Sequence, residues 1–197
     1  MLPPDIDPQS RCRLPFVKRE ELDETRQKIY DAAVNPQGGT IRGLNGPAGI
    51  QLHSKGLSAV NRPAGRYLRF ECGFTPRVRE VAILISARHS NSQFEWAAHE
   101  PEALKEGVPQ ATIDAIKYRR PLDGLEPEDA LIIQLGREIF GDRKVSSATY
   151  ARAETHFGRG GLVDLVALMG NYAATAALLC CFDMQLDEGT TAILPIP

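Results

Sequence analysis

The sequence predicts an all-α protein, and three observations predict it. Apolar residues recur at helical spacing in one segment after another. No stretch shows the sustained two-residue alternation of a half-buried strand. Glycine, proline and small hydroxylated residues fall where helices are expected to start and stop. With 197 residues, of which 43% are hydrophobic, the chain has enough material for one domain with a sizeable core.

The elements follow in order. Residues 1–17 hold four prolines and little periodicity, so they read as an extended or disordered arm, free or lying on a neighbouring subunit. Residues 18–197 are expected to form the single helical domain. Its first helix spans 18–34, with Leu22, Ile29 and Ala33 near one face. Residues 35–49 form a glycine-rich loop that follows no strand and lacks the GxxxxGK[ST] pattern, so it is not expected to cradle a phosphate. Two helices are read over 50–60 and 63–71. Thr75 and Pro76 then supply an N-cap and a first-turn proline to a helix over 77–89, apolar on most sides and therefore central. A second arm over 92–107 completes a helical hairpin. A short helix over 109–118 follows, then longer ones over 126–141, 146–157 and 162–186. Gly107, Gly141 and Gly158 stand where C-terminal caps are expected.

Composition narrows the functional classes. A net charge of −2 with dispersed basic pairs such as Lys18-Arg19 and Arg119-Arg120 gives no electrostatic reason to expect nucleic acid or an anionic membrane. The four cysteines, Cys12, Cys72, Cys180 and Cys181, form neither a CxxC pair nor a metal-ligand spacing. A reduced, cytoplasmic protein is the simplest expectation. The acidic, proline-rich start lacks the apolar stretch of a signal peptide. Residues 162–182 are the most membrane-like, but Asp164, Gly170 and Asn171 interrupt them, so a buried core or interface helix is expected.

Chemistry concentrates in the hairpin of residues 75–107. Ile83, Leu84 and Ala87 lie three, four and seven residues after Glu80 and share its helix face. A carboxylate in an apolar ridge must be paired, or must have a raised pKa. On the second arm Ser92, Glu95 and His99 share a face by their spacing of three and four. The midpoint between positions 80 and 99 falls in the turn at 89–91. Antiparallel packing therefore sets Glu80 and His99 at one height, within about one helical turn, or ~5 Å. A carboxylate and an imidazole in reach of one another are the raw material of general acid–base catalysis. Pro101 is expected to end or kink the second arm at His99–Glu100, leaving His99 at a helix C-terminus, where the dipole favours its protonated form.

Structural roles compete for the same residues. Ser92 and Glu95 fit a capping box. Glu80 would equally serve as partner to an arginine such as Arg77 or Arg88. Trp96 fits a core position or a surface for stacking a ligand, and His89 is expected to face solvent at the turn. Glu95 and His99, with Glu80, have donor types that suit a divalent ion, but no metal or other cofactor is expected.

The segment 76–107, PRVREVAILISARHSNSQFEWAAHEPEALKEG, resembles the carboxymuconolactone decarboxylase family, which includes the alkyl hydroperoxidase D-like proteins. The marks are Arg79-Glu80 followed by an apolar helix, then FEWAAH, then A-L-x-x-G. The segments GPAGIQLHSKGLSAV and GRYLRFE (within residues 46–71) and GLVDLVALMGNY (residues 161–172) look like this family's longer branch. The resemblance covers roughly residues 46–186. It implies a helical bundle whose subunits assemble into trimers or hexamers, with the site in this hairpin and often near a subunit interface. In the peroxidase members the second arm opens with CxxC and a histidine follows four residues later, while a glutamate on the first arm completes a proton relay. Glu80 matches that glutamate and His99 that histidine. Ser92 and Glu95 fall where the cysteines would be. A serine and a carboxylate cannot cycle through a disulfide, so thiol peroxidase activity is not expected, barring an unusual use of Cys72. The decarboxylase members also lack the cysteine pair and act without cofactor on a small lactone acid. The length of this chain and its His53-containing upstream segment depart from the short decarboxylases.

The resulting expectation is a cofactor-independent lyase or isomerase acting on a small carbonyl, lactone or carboxylic acid. His99 is the general acid or base, Glu80 orients it or relays its proton, and Glu95 is a second acid–base group or tunes His99. Arg69, Arg88 and Tyr172 are expected to reach a substrate carboxylate or carbonyl, and Ser92 and Trp96 to complete the binding surface. The alternative is a non-catalytic helical oligomer that binds a small ligand.

Overall fold

The computed structural model describes residues 2–35, 37 and 41–196. Residue 1 of the arm, residues 36 and 38–40 of the glycine-rich loop, and residue 197 lie outside them. Among the described residues the chain is all-helical, with no strand, and eight α-helices form a bundle. In chain order these are α1 (Glu24–Val34), α2 (Pro47–Leu52), α3 (Lys55–Arg66), α4 (Pro76–His89), α5 (Gln93–Lys105), α6 (Gln110–Lys117), α7 (Pro127–Arg137) and α8 (Ser147–Cys181). Two π-helical turns extend α3 and α7, at Tyr67–Glu71 and Glu138–Asp142.

Helix α4 is the axis of the bundle because its sequence offers no polar face over Val81–Ile85. A helix apolar all round must be covered all round. α5, α6, α7 and α8 cover it, and ten of its fourteen residues are buried. The Thr75 hydroxyl accepts from Val78 N–H at its start, with Pro76 in the first turn. At its end Asn91, at φ +50°, reverses the chain, and Ser92 caps α5 by accepting from Glu95 N–H. α7 approaches α4 so closely at Gly136 that an added Cβ would stand 2.7 Å from Ile85 Cγ1. The glycine here is required by contact, not by backbone angle.

Several boundaries depart from expectation, each for a local reason. The helix expected over 18–34 is a short 3-10 turn, Arg19–Glu21, followed by α1, because the Asp23 carboxylate accepts from Arg26 N–H and starts a new helix there. Ser54 caps α3 in the same way, and α3 runs straight through Pro63. α5 likewise continues through Pro101 to Lys105. His99 is therefore in the middle of a helix, and the expected action of a C-terminal dipole on it does not arise. Gly141 lies inside the second π turn, which ends instead at Arg143 with φ +55°. Gly158, at φ +68° and ψ 168°, breaks α8 as expected, but the second segment resumes directly after it and stops at Cys181 rather than at 186.

The described part of the arm is irregular and fastened to its own chain. Arg13 N–H donates to Phe182 O at 2.8 Å and Gln185 N–H to Arg11 O at 2.9 Å. Cys12, 2% exposed, packs with Ile50, Phe94 and Leu179 in a second small core. His53 Nε2 bonds Pro15 O at 2.9 Å and so tethers the arm to the end of α2. At the other terminus α8 stops at Cys181, and residues 184–196 run back over the hairpin. There Gln93 and Leu194 exchange two hydrogen bonds, at 2.8 and 3.0 Å. By length and composition alone α8 is apolar enough to cross a membrane, and 33% of its most apolar window is buried. Leu165, Leu168, Met169 and Leu179 supply the buried face, while Val163 and Val166 are exposed.

The Gly136 contact yields a stability test. Replacing Gly136 with valine forces Ile85 from its site, and overpacking of this kind costs about 1–3 kcal/mol. Urea unfolding is expected to show a lower midpoint with an unchanged slope.

Candidate active site

The expected pairing of the two hairpin arms is present. His99 Nδ1 and Glu80 Oε2 are 2.7 Å apart, with both side chains buried. Arg79 Nε donates to the other Glu80 oxygen at 3.4 Å, and its Nη1 donates to Arg69 O at 2.6 Å, joining α4 to the π turn. The arginine beside Glu80 is thus Arg79. Arg77 turns away to Asp129 at 2.8 Å, and Arg88 lies near the other end of α4. Burial pushes the Glu80 pKa up, but the His99 hydrogen bond and the charges of His99, Arg79 and Arg69 outweigh it and hold the carboxyl below its ordinary value. Glu80 is therefore an ionised acceptor and His99 Nδ1–H the donor. That leaves His99 Nε2 as the ring nitrogen available to the cavity that His99 lines.

The cavity has a volume of about 900 Å³ and is walled by α1, α2, α3, α5, α8 and the first π turn. Glu95, one helical turn before His99, lines it too. Glu95 is 3% exposed, and neither carboxyl oxygen has a hydrogen-bond partner. The capping box is only half made: Ser92 accepts from Glu95 N–H, but Ser92 N–H is spent on Ala87 O at 2.9 Å. Burial raises the Glu95 pKa to about 8, with the nearby Ser92 hydroxyl opposing the shift. At neutral pH Glu95 is a neutral acid able to donate. Tyr172 of α8 stands edge-on to the His99 ring at 5.2 Å. Burial, reinforced by Glu80 and Glu95 and opposed by Arg69 and Arg79, raises its pKa, so it too stays a neutral donor.

The other expected site residues divide. Arg69 and Tyr172 line the cavity. Trp96 does not; it is 0% exposed, and its Nε1 donates to Glu100 Oε2 at 2.9 Å, so it is a core residue. Arg88 does not, because it donates to Lys117 O at 2.7 Å and to Pro195 O at 3.1 Å. Ser92 acts as a helix cap and does not line the cavity. Cys72 is also outside it and donates to Leu68 O at 3.1 Å. His89 is exposed as expected and stacks on Phe140 at 5.0 Å. Among the described residues no three of His, Cys, Asp and Glu are grouped to hold a metal ion.

Sequence reasoning missed Arg62, Asn171 and Thr175, which all line the cavity. Asn171 carried a signal: it interrupts an apolar run, and Thr175 lies one helical turn on. Arg62 carried none, because its position depends on α3 folding over the mouth of the cavity.

Comparison with protein-family models, curated proteins and solved structures gives no match to the chain. The site is accordingly read from its own residues.

The buried neutral Glu95 predicts a pH-dependent stability. The folded chain keeps a proton that the unfolded chain, with the ordinary carboxylate value of 4.5, releases. Stability therefore falls as pH rises from that value to about 8. In Glu95→Gln this loss is absent, so its melting temperature relative to the parent is expected to climb steadily between pH 5 and pH 8 in thermal unfolding.

Proposed function

We propose that the chain is a cofactor-independent acid–base enzyme, a decarboxylating lyase or an isomerase, acting on a small carbonyl compound, lactone or carboxylic acid. The observation that carries it is the 2.7 Å Glu80–His99 pair set behind a cavity whose wall also holds Glu95. The resemblance of residues 76–107 to the carboxymuconolactone decarboxylase family supports the same chemistry. His99 and Glu95 would touch substrate. Glu80 stands behind the imidazole and is a positioning residue.

In the lyase version the C–C bond to a carboxylate breaks, CO₂ leaves, and the electron pair passes to the adjacent carbonyl as an enolate. Glu95–OH hydrogen-bonds the enolate oxygen, and His99, having taken a proton from solvent at Nε2 to form an imidazolium held by Glu80, delivers that proton to the carbon. In the isomerase version His99 removes that proton and returns it to a different carbon. A water-poor site strengthens the Glu95 hydrogen bond where negative charge develops. Arg69 at the wall suits an anionic substrate group.

A small-ligand-binding oligomer without catalysis is the competing reading, and the roomy cavity favours it equally. A panel of β-keto acids and lactone carboxylic acids, followed for CO₂ release and for deuterium uptake at carbon, separates the two. Turnover is expected to fall by about 10²–10⁴-fold in His99→Gln and by less in Glu80→Gln, which keeps a hydrogen-bonding partner for Nδ1. Unchanged turnover in His99→Gln would overturn the enzyme reading, and saturable binding with no turnover would favour the alternative.

We further propose a homo-oligomer, trimer or hexamer, in a reducing cytoplasmic setting. The exposed apolar residues Val163 and Val166 on α8 support assembly, and four free cysteines fit a reducing compartment. Light scattering should give a multiple of 21.6 kDa. Val163→Lys is expected to lower that mass, and a monomeric parent would remove the proposal.

A further inference from the structure

A second cleft lies at the far end of α4 from the acid–base pair, and the mechanism makes no use of it. The C-terminal ends of α4, α6 and α7 converge there on a space of about 360 Å³. Ile85 and Ile116 give it an apolar floor, and Arg88, His89, Arg119 and Arg137 line it with a single carboxylate, Asp142. Arg143, just beyond the second π turn, is close enough for its charge to act on His89.

Among the described residues no ion pair neutralises these arginines. Arg88 is 5% exposed, yet it donates only to neutral acceptors: Lys117 O, Pro195 O and the Asn91 side chain. Arg137 donates to Ala115 O at 3.1 Å and Arg120 O at 2.7 Å. These two guanidinium groups serve the last carbonyls of α6, and the negative ends of the converging helices offset part of their charge. Arg119 and Arg143 do no such work. Neither side chain has a hydrogen bond or ion pair among the described residues. Both occupy left-handed backbone positions, at φ +53° and +55°, which a residue with a Cβ adopts at a cost. Burial first, and then the Arg119 charge, lowers the proton affinity of Arg88, His89 and Arg137 alike. The arginine charges repel one another across the cleft and disfavour a proton on His89, and an anion between them would relieve that repulsion.

We propose that this cleft binds a phosphate group, either as inorganic phosphate or as the phosphoryl end of a small molecule. The convergence selects phosphate over carboxylate. Planar guanidinium forks pair with oxygens two at a time. A carboxylate has two oxygens and satisfies one or two forks, whereas a phosphate dianion presents three or four and can meet Arg119 and Arg143 together, with the charges of Arg88 and Arg137 behind them. The floor of Ile85 and Ile116, with the stacked His89–Phe140 pair beside it, leaves apolar room for an organic remainder. The inference is independent of the acid–base reading of the larger cavity.

Calorimetric titration of the full chain with inorganic phosphate, pyrophosphate and adenosine monophosphate, at constant ionic strength, tests it. One saturable site is expected. Affinity should fall at least tenfold in Arg119→Gln and further in the Arg119→Gln, Arg143→Gln double variant. Both residues are exposed, so the fold should survive, and circular dichroism checks that it does. Arg66→Gln, at the rim of the larger cavity, should bind as the parent does. Tightest binding of inorganic phosphate would mark the free ion as the ligand, and tightest binding of the nucleotide a phosphorylated molecule. Absence of saturable binding by all three probes would overturn the proposal. So would parental affinity in the double variant, or loss of binding in Arg66→Gln.

Discussion

One hydrogen bond organises the centre of this molecule. Glu80 on α4 and His99 on α5 meet across the hairpin at 2.7 Å, deep enough that neither group can trade its partner for water. A buried carboxylate is tolerated only when it is paired, and removing one partner of such a pair leaves an uncompensated charge costing about 3–5 kcal/mol. The register of the two helices is held by that penalty. A slip of one residue on either arm would rotate one member of the pair away from the other. The Ser92 cap, the left-handed Asn91 and the N-terminal Thr75 all set lengths and starting angles that keep the two side chains level.

The same pair divides labour among three acids with different surroundings. Glu80 is ionised because His99, Arg79 and Arg69 favour its charge against the effect of burial. Glu95, on the same helix face as His99, meets no cation and stays protonated through neutral pH. Tyr172 remains a phenol beside them. Two carboxyl groups near one imidazole, pushed in opposite directions by their neighbours, are the usual arrangement for separating acid from base. The proton on Glu95 is kept by burial without a hydrogen-bond partner for its carboxyl oxygens.

Much of this was legible in the chain itself. The 80-to-99 register followed from the turn position and helical rise, and the centrality of α4 from an apolar run with no polar side. The caps at Thr75 and Ser92 were readable because their hydrogen bonds are local. Legibility ended where tertiary contact overrides local preference. Pro101 was expected to end or kink α5, but it does not end it: the helix continues because packing on α4 outweighs one missing donor. Trp96 and Arg88 could not be placed, since which side of α5 or α4 faces a cavity depends on helices far away in sequence. Arg62 reaches the site only because α3 folds over its mouth. The arm of residues 2–17 has no periodicity to betray that it docks on the end of α8.

The returning tail has a consequence for how the chain is assembled in time. Gln93 is held by Leu194 across 101 residues of sequence, and Arg88 by Pro195 across 107. The α4–α5 turn, an element that can form early from local contacts, is thus latched by a segment synthesised about a hundred residues later. Contacts of such long separation form slowly because they close large loops. The hairpin can therefore form before its latch, and residues 194–195 close it only after the intervening helices have been made.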